Sequence, residues 1–451
     1  MTKRLTRGSV LGNILTFSLP YLLSYFLQTL YGMADLYIVG KFDNVAATTA
    51  TSIGSQVMHM LTVIIVGLAM GTTVTVAAAV GADDDRRAAR SIGNTITIFL
   101  SLSVVLTAIL FLLAHPILTL ISTPEEAVSD AVGYLRVCFL GIPFITAYNI
   151  IGSIFRGLGD SKSPMFFVAV ACVANIALDW LFIGGMHLGP VGAALGTTVS
   201  QAFSVLVSLA VIRKRKRGIR ISLSDLKPER TTVSSILKIG IPISVQDGLI
   251  QIAFIVITVI ANWRGLCDAA AVGIVEKIIG FLFLVPSSML STVSALGAQR
   301  IGAGDKQRAV RTLWYSVMIA VGFGVTVSII FQFISEPAVS LFTSDPEVAA
   351  AGARYLRGYI FDCIFAGIHF CFSGYFCACG KSWISFIHNI AAIVLVRIPG
   401  VYCTSVLFPS TLMPMGLATS AGSLLSVIIC VIAYALMQRN DRIAQRSKTD
   451  T

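Results

Sequence analysis

Charge is scarce in this sequence. Asp, Glu, Lys and Arg make up 12% of the 451 residues against 56% hydrophobic, and mean hydropathy is +0.85. A fold of this length cannot keep such a surface in water, so a soluble enzyme or binding module is excluded and a polytopic membrane protein is implied. Also absent are a phosphate-binding loop, a nucleophile elbow and a dinucleotide fingerprint. The chain is therefore expected to be no enzyme, to carry no cofactor and to lack an ATP-driven step of its own. Histidines number only five, and His59, His369 and His388 read as isolated residues without ligand spacing. The Asp83–Asp85 run has no second aspartate-rich motif to match it, so no metal centre is expected there. The nine cysteines lie mostly inside apolar runs and read as small apolar fillers. The net charge of +11 does not point to nucleic acid, because the basic residues sit in short loops between apolar runs.

What is present is a duplication. GADDDRRAAR at Gly81 returns as GAGDKQRAVR at Gly302, and PEEAV at Pro124 with YLR at Tyr134 returns as PEVAA at Pro346 with YLR at Tyr355. PVGAALGT at Pro190 returns as PMGLATSA at Pro414, and Pro20 is matched by Pro242. Duplicated membrane halves are the usual build of secondary transporters, with substrate handled between them.

A helical span needs about 20 apolar residues. About twelve segments qualify, near 10–38, 46–79, 91–114, 131–155, 164–184, 189–212, 233–261, 268–298, 310–334, 348–378, 383–408 and 412–437. Their apolar runs are continuous rather than alternating, which favours helices over a β-barrel. The expected fold is all-α, with two pseudo-symmetric six-helix lobes at 1–220 and 221–451. The first segment has no cleavage site and is expected to remain as a membrane helix.

Orientation follows from the loops. Lys3, Arg4, Arg7, Arg86, Arg87, Arg90, Arg156, Lys162, the RKRKR run from Arg213, Arg300, Lys306, Arg308, Arg311, Lys381, Arg439, Arg442 and Arg446 all fall on one side. The alternate loops hold Glu125, Glu126, Asp130, Glu336, Asp345 and Glu347. Both termini are thus expected in the cytoplasm of a bacterial plasma (inner) membrane. The basic linker near 213–232 reads as a topology signal and a contact for lipid headgroups.

Polar side chains inside spans are costly and therefore informative. Gln28 and Asp35 lie seven apart on the first segment, and Asn175 and Asp179 four apart on the fifth, so each pair shares a helix face. Both aspartates fall at matching depth, where two carboxyls and two amides can form a cation or proton site. Thr197 can add a hydroxyl. Interhelical hydrogen bonding without transport is the alternative for the amides, Asn149 included. Pro20 can kink its helix and let it bend between states, or form a static kink that only shapes packing. In the second half, Asp247, Asp362 and Arg397 lie near mid-bilayer, with Glu276 and Lys277 on the eighth segment. They read either as a steadying Arg–carboxylate network or as substrate-facing and coupling groups, and the substrate cavity is expected to be lined by Gln28, Asn149, Asp247 and Asp362.

Several stretches together resemble one family. They are LPYLLSYFLQTLYGMADLYIVGKF from Leu19, the GADDDRRAAR loop, FRGLGDSKSP from Phe155, NIALDWLFI from Asn175 and GPVGAALGT from Gly189. The chain resembles the multidrug and toxic compound extrusion (MATE) family along its whole length, and its first and fifth segments resemble the DinF-type prokaryotic branch. The resemblance implies two six-helix lobes that open alternately to either side, and export of amphipathic organic cations in exchange for protons or sodium. It places the cation site on Asp35, Asn175, Asp179 and Thr197, with Gln28 and Asn149 nearby and Pro20 as the bending point. The chain departs at Gly32, where relatives often carry Asn, so one cavity hydrogen bond is missing. The expectation is a monomeric cation-coupled antiporter, with H+ or Na+ as coupling ion, small organic cations and membrane lipids as partners, and no nucleic acid. A flippase for lipid-linked precursors is the alternative, and it would call for a strongly cationic central cavity.

Overall fold

The computed structural model describes residues 5–214, 219 and 221–449, and every regular element among them is helical. In lipid each backbone N–H must find its partner within the segment, and long apolar runs meet that condition only as helices. The first half contains α1 (Val10–Phe42), α2 (Val45–Gly81), α3 (Asp85–Leu120), α4 (Glu125–Leu140), α5 (Ile142–Gly157), α6 (Lys162–Asp179) and α7 (Gly189–Lys214). The second contains α8 (Arg230–Asn262), α9 (Leu266–Leu282), α10 (Leu284–Gly302), α11 (Lys306–Ser340), α12 (Pro346–Tyr359), α13 (Asp362–Ala378), α14 (Ser382–Ala392), α15 (Ile398–Leu407) and α16 (Met413–Thr449). Side-chain oxygens of Ser9, Asn44, Asp84 and Asp345 accept from free N–H groups at the starts of α1, α2, α3 and α12.

Among the described residues, ten helical stretches are long and apolar enough to cross a membrane, and two bent pairs bring the number to twelve if each pair is one span. These elements cover the twelve segments expected from the sequence, with the third lengthened to Asp85–Leu120. The fourth and tenth spans are each bent at a break. α4 and α5 meet at 51°, where Gly141 is followed by Pro143, which has no N–H to donate. α12 and α13 meet at 42°, where the Ser328 hydroxyl donates to the Ile360 carbonyl at 3.2 Å. A turn of π-helix extends α6 over Trp180–Gly185, and another joins α14 to α15 over Ile393–Arg397.

Packing divides the chain into two compact units. One holds the residues up to Ser244 plus Ala298–Asp305; the other holds Val245–Gly297 and everything from Lys306 onward. α8 and α10 therefore each begin in one unit and end in the other.

In the first unit, α2 packs backbone to backbone against the start of α8 and the end of α10. A Cβ on Gly71 would stand 2.1 Å from the Ile236 carbonyl oxygen, and one on Gly240 2.3 Å from that of Leu68. One on Gly81 would lie 1.9 Å from the Gln299 carbonyl oxygen, and one on Gly302 2.1 Å from that of Ala78. Only glycine allows these crossings. Nearby, the Leu5 N–H donates to Gln299 Oε1 at 3.2 Å, and Gln299 Nε2 donates to the Gly157 carbonyl at 3.1 Å.

The linker is fastened to the same unit. Its short 3₁₀ turn, Leu223–Leu226, lies against α3, where Asn94 Nδ2 donates to the carbonyls of Asp225 and Lys227. The Asn94 Oδ1 accepts from the Glu229 N–H at 2.7 Å, and the Thr97 hydroxyl donates to the Leu226 carbonyl at 2.7 Å. Of the basic residues that set the expected topology, Lys3, Arg4, Arg215, Lys216 and Arg217 lie outside the described residues. In the second unit, a core of Val272, Val275, Tyr355, Tyr359, Val401 and Met415 ties α9, α12, α15 and α16 together.

Candidate cation site between α1, α6 and α7

Three helices of the first unit bring Asp35, Asn175, Asp179 and Thr197 together. Asp35 comes from α1 and is 4% exposed; Asn175 and Asp179 come from one face of α6 and are 1% and 0% exposed. The Thr197 hydroxyl on α7 donates to Asp35 Oδ2 at 3.2 Å and accepts from Asn175 Nδ2 at 3.5 Å. The Asp179 carboxyl lies beside that of Asp35. It also rests on the α7 backbone, because Gly196 has no side chain: a Cβ there would stand 1.9 Å from Asp179 Oδ1. The π-helical turn begins at the next residue, Trp180, and such turns are frequent at functional sites.

The site is rich in acceptors and poor in donors. Asp35 Oδ1, both carboxyl oxygens of Asp179 and Asn175 Oδ1 are buried without a hydrogen-bond partner among the described residues. Four buried oxygens on neighbouring side chains thus lack a donor of their own. Such a cluster is suited to a shared proton or a small hard cation.

Gln28 and Asn149 occupy a neighbouring position. They line a cavity of about 40 Å³ together with Tyr21, Tyr25, Tyr148 and Arg156. Asn149 Nδ2 donates to the Ile145 carbonyl at 2.8 Å, within its own helix. Pro20 lies inside α1, which continues as a helix through it, and its carbonyl accepts the Ser24 hydroxyl at 2.9 Å.

Sequence reasoning passed over Tyr31 and Gln201. Tyr31 is packed beside both Gln201 and Asp35, and Gln201 is 7% exposed. The signal was helical spacing: Tyr31 stands three residues after Gln28 and four before Asp35, and Gln201 four after Thr197.

The second unit holds its polar residues differently. Arg397 Nη2 donates to Asp362 Oδ2 at 2.8 Å and to the Ser423 hydroxyl at 3.1 Å. Asp362 is thus neutralised by a buried guanidinium. Asp247 has the Gln246 amide at 3.4 Å, and Glu276 the Thr258 hydroxyl at 3.4 Å, while Lys277 is exposed. No hydrogen bond or ion pair joins Asp247 to Asp362 among the described residues. The histidines correct one expectation. His369 and His388 are not isolated: their rings are 5.5 Å apart, and His388 sits between the hydroxyls of Ser373 and Ser426 at 2.9 and 3.2 Å. Helix pairing across α13 and α14 brings them together, which spacing along the chain does not reveal. No group of three or more potential metal ligands occurs among the described residues.

Comparisons with known proteins agree with this architecture. The MatE family model matches residues 20–181 and again 242–403, together well over half the chain, with one match in each repeat. The chain is 28% identical over 394 residues to the probable multidrug resistance protein YpnP of Bacillus subtilis, covering 87% of this chain and 88% of that one. It is 25% identical over 435 residues to the multidrug export protein MepA of Staphylococcus haemolyticus, with 96% and 95% covered. Among solved structures, a MOP superfamily transporter from Pyrococcus furiosus superimposes with TM-score 0.90 at 22% identity, over 96% of this chain and 97% of that one. A multidrug resistance MATE family transporter in an outward-facing conformation gives TM-score 0.89 at 22% identity, over 98% of each chain. These likenesses show the shared twelve-helix, two-lobe fold. Duplicated six-span halves, a family match in each half and relatives spanning nearly the full length lead to one assignment: the chain belongs to the MatE family of membrane transporters.

Proposed function

We propose that this protein is an antiporter that exports amphipathic organic cations, drugs among them, in exchange for protons or sodium. The observation that carries the reading is the group of four buried oxygens of Asp35, Asp179 and Asn175 that lack a donor. A bound proton or sodium ion satisfies them, and its departure leaves two adjoining carboxyl groups that favour a different packing of α1 against α6 and α7. Moving such an equilibrium from 1:99 to 99:1 takes about 5.5 kcal/mol of differential binding. Thr197 orients the Asp35 carboxyl, and Pro20 gives α1 a place to bend because its ring removes one rung of the helix ladder. The multidrug names of the relatives support the substrate class. The protein acts as a monomer in a bacterial plasma membrane with both termini in the cytoplasm.

The test is transport by the purified protein in proteoliposomes, under an imposed proton gradient and, separately, a sodium gradient. Uptake of an organic cation such as ethidium against one of these gradients is expected. No response to either gradient, with movement of a lipid-linked anion instead, would replace antiport by flipping.

A further inference from the structure

The polar side chains of α1 continue past the acid pair. Tyr21, Tyr25, Gln28, Tyr31 and Asp35 follow one another at intervals of three or four residues, with Ser24 three after Tyr21 and four before Gln28, so they form one stripe along the helix. Its two ends are buried, with Tyr21, Ser24 and Asp35 at 5%, 7% and 4% exposed, and Tyr25, Gln28 and Tyr31 between them are partly buried. The hydroxyls of Tyr21 and Tyr25 are 3.1 Å apart. Next along the stripe is the cavity of about 40 Å³ lined by Tyr25, Gln28, Tyr148 and Asn149. That volume holds about three water molecules. Tyr148 lies beside Gln28 and Tyr31, and Tyr31 lies beside Asp35. Hydroxyls and room for water thus reach from Tyr21, about three turns into α1, to the acid pair.

A cation stands at the far end of this stripe. The Arg156 guanidinium lies over the Tyr21 ring, 5.1 Å from its centroid, and Nη2 donates to the buried Ser153 hydroxyl at 2.7 Å. It lines the same cavity and has no carboxylate partner among the described residues. A fixed positive charge in a narrow polar passage repels hydronium and metal cations.

We propose that the α1 stripe is a proton file linking the Asp35–Asp179 pair to the cytoplasmic side, and that Arg156 guards its mouth. Each hydroxyl or water accepts a proton on a lone pair and passes its own proton on, so no charged intermediate stays behind. The file carries protons and not sodium, because a ring-lined passage with room for about three waters cannot coordinate a migrating metal ion. This inference rests on the acid pair being the coupling site, and it commits that site to protons.

The experiment uses the purified protein in proteoliposomes with ethidium as probe. In Tyr25→Phe and Gln28→Leu, proton-driven ethidium exchange should slow by about tenfold and acquire a larger solvent deuterium isotope effect. Ethidium affinity and thermal stability should hold, which a merely structural role would not predict. Arg156→Gln should admit a passive proton leak without probe, Arg156→Lys should stay tight, and adding Asp35→Asn to Arg156→Gln should abolish the leak. Unchanged exchange, an unchanged isotope effect, a tight Arg156→Gln or a leak that survives Asp35→Asn overturns the file. Exchange driven by sodium alone also overturns it while leaving the acid pair intact. Full exchange in Asp35→Asn by itself would instead reject the coupling site.

Discussion

Asp35 and Asp179 stand or fall together. Their carboxyls adjoin and share the unsatisfied oxygens, so either Asp→Asn change removes the charge that a common ion needs. Each single variant should lose gradient-driven efflux while folding normally, and the double variant should be hardly worse than the worse single. Efflux rates measured beside expression and thermal melts decide this; additive losses would mean separate roles. The Asp362–Arg397 pair should answer differently. Removing one partner strands a buried charge, so Arg397→Met should lower stability by about 3–5 kcal/mol, and adding Asp362→Leu should restore much of it. Melting of the detergent-solubilised variants tests that order. The acid pair was legible in the sequence because a carboxylate inside an apolar run stands out. The ion pair was legible as one of two readings. Tyr31 was not, because an aromatic ring inside a span looks like ordinary packing until its hydroxyl is seen beside Asp35.

At the level of elements, α2 is gripped through glycines. Gly81→Ala would push a methyl group into the Gln299 carbonyl, and a loss of about 1–3 kcal/mol is expected. Gly322→Ala on α11 meets nothing within 4 Å, and should gain up to about 1 kcal/mol from helix propensity. Comparing the two melts separates tight packing from propensity. The linker turn offers a second measurement. Hydrogen bonds from the Ser222 backbone and hydroxyl hold the Asp225 carboxyl below its usual range, and those of Thr231 and Thr232 do the same for Glu229. A depressed acid contributes stability above its unfolded value, near 4, and loses it as pH falls through the lower folded value. Proteolysis of the 221–229 segment should therefore stay constant from pH 8 to about 5 and rise only in stronger acid. A rise already at pH 6 would reject this account. Twelve spans could be counted from hydropathy, but the bends at Gly141 and Ile360 could not. Apolar composition does not report the tertiary hydrogen bond from Ser328, and Pro143 was one proline among fourteen.

For the whole molecule, the loop charges make a clear forecast. In a variant cleared of native cysteines, single cysteines at Arg87, Lys162 and Arg308 should resist an impermeant thiol reagent in intact cells, while those at Glu125 and Asp345 should react. Labelling at Arg87 in sealed cells would invert the topology. The duplication announced the repeat of six spans, yet sequence alone gave no sign that α8 and α10 each belong partly to both compact units. This shared membership bears on splitting the gene in the linker. A polypeptide ending near residue 220 would lack residues 230–244 and 298–305, so Gly71 and Gly81 would present bare helix backbone to lipid where the second polypeptide should lie. Neither product would be a finished half. Co-expression of the two should rescue both, making the protein a natural candidate for fragment complementation, with α2 as the surface on which the pieces recognise each other.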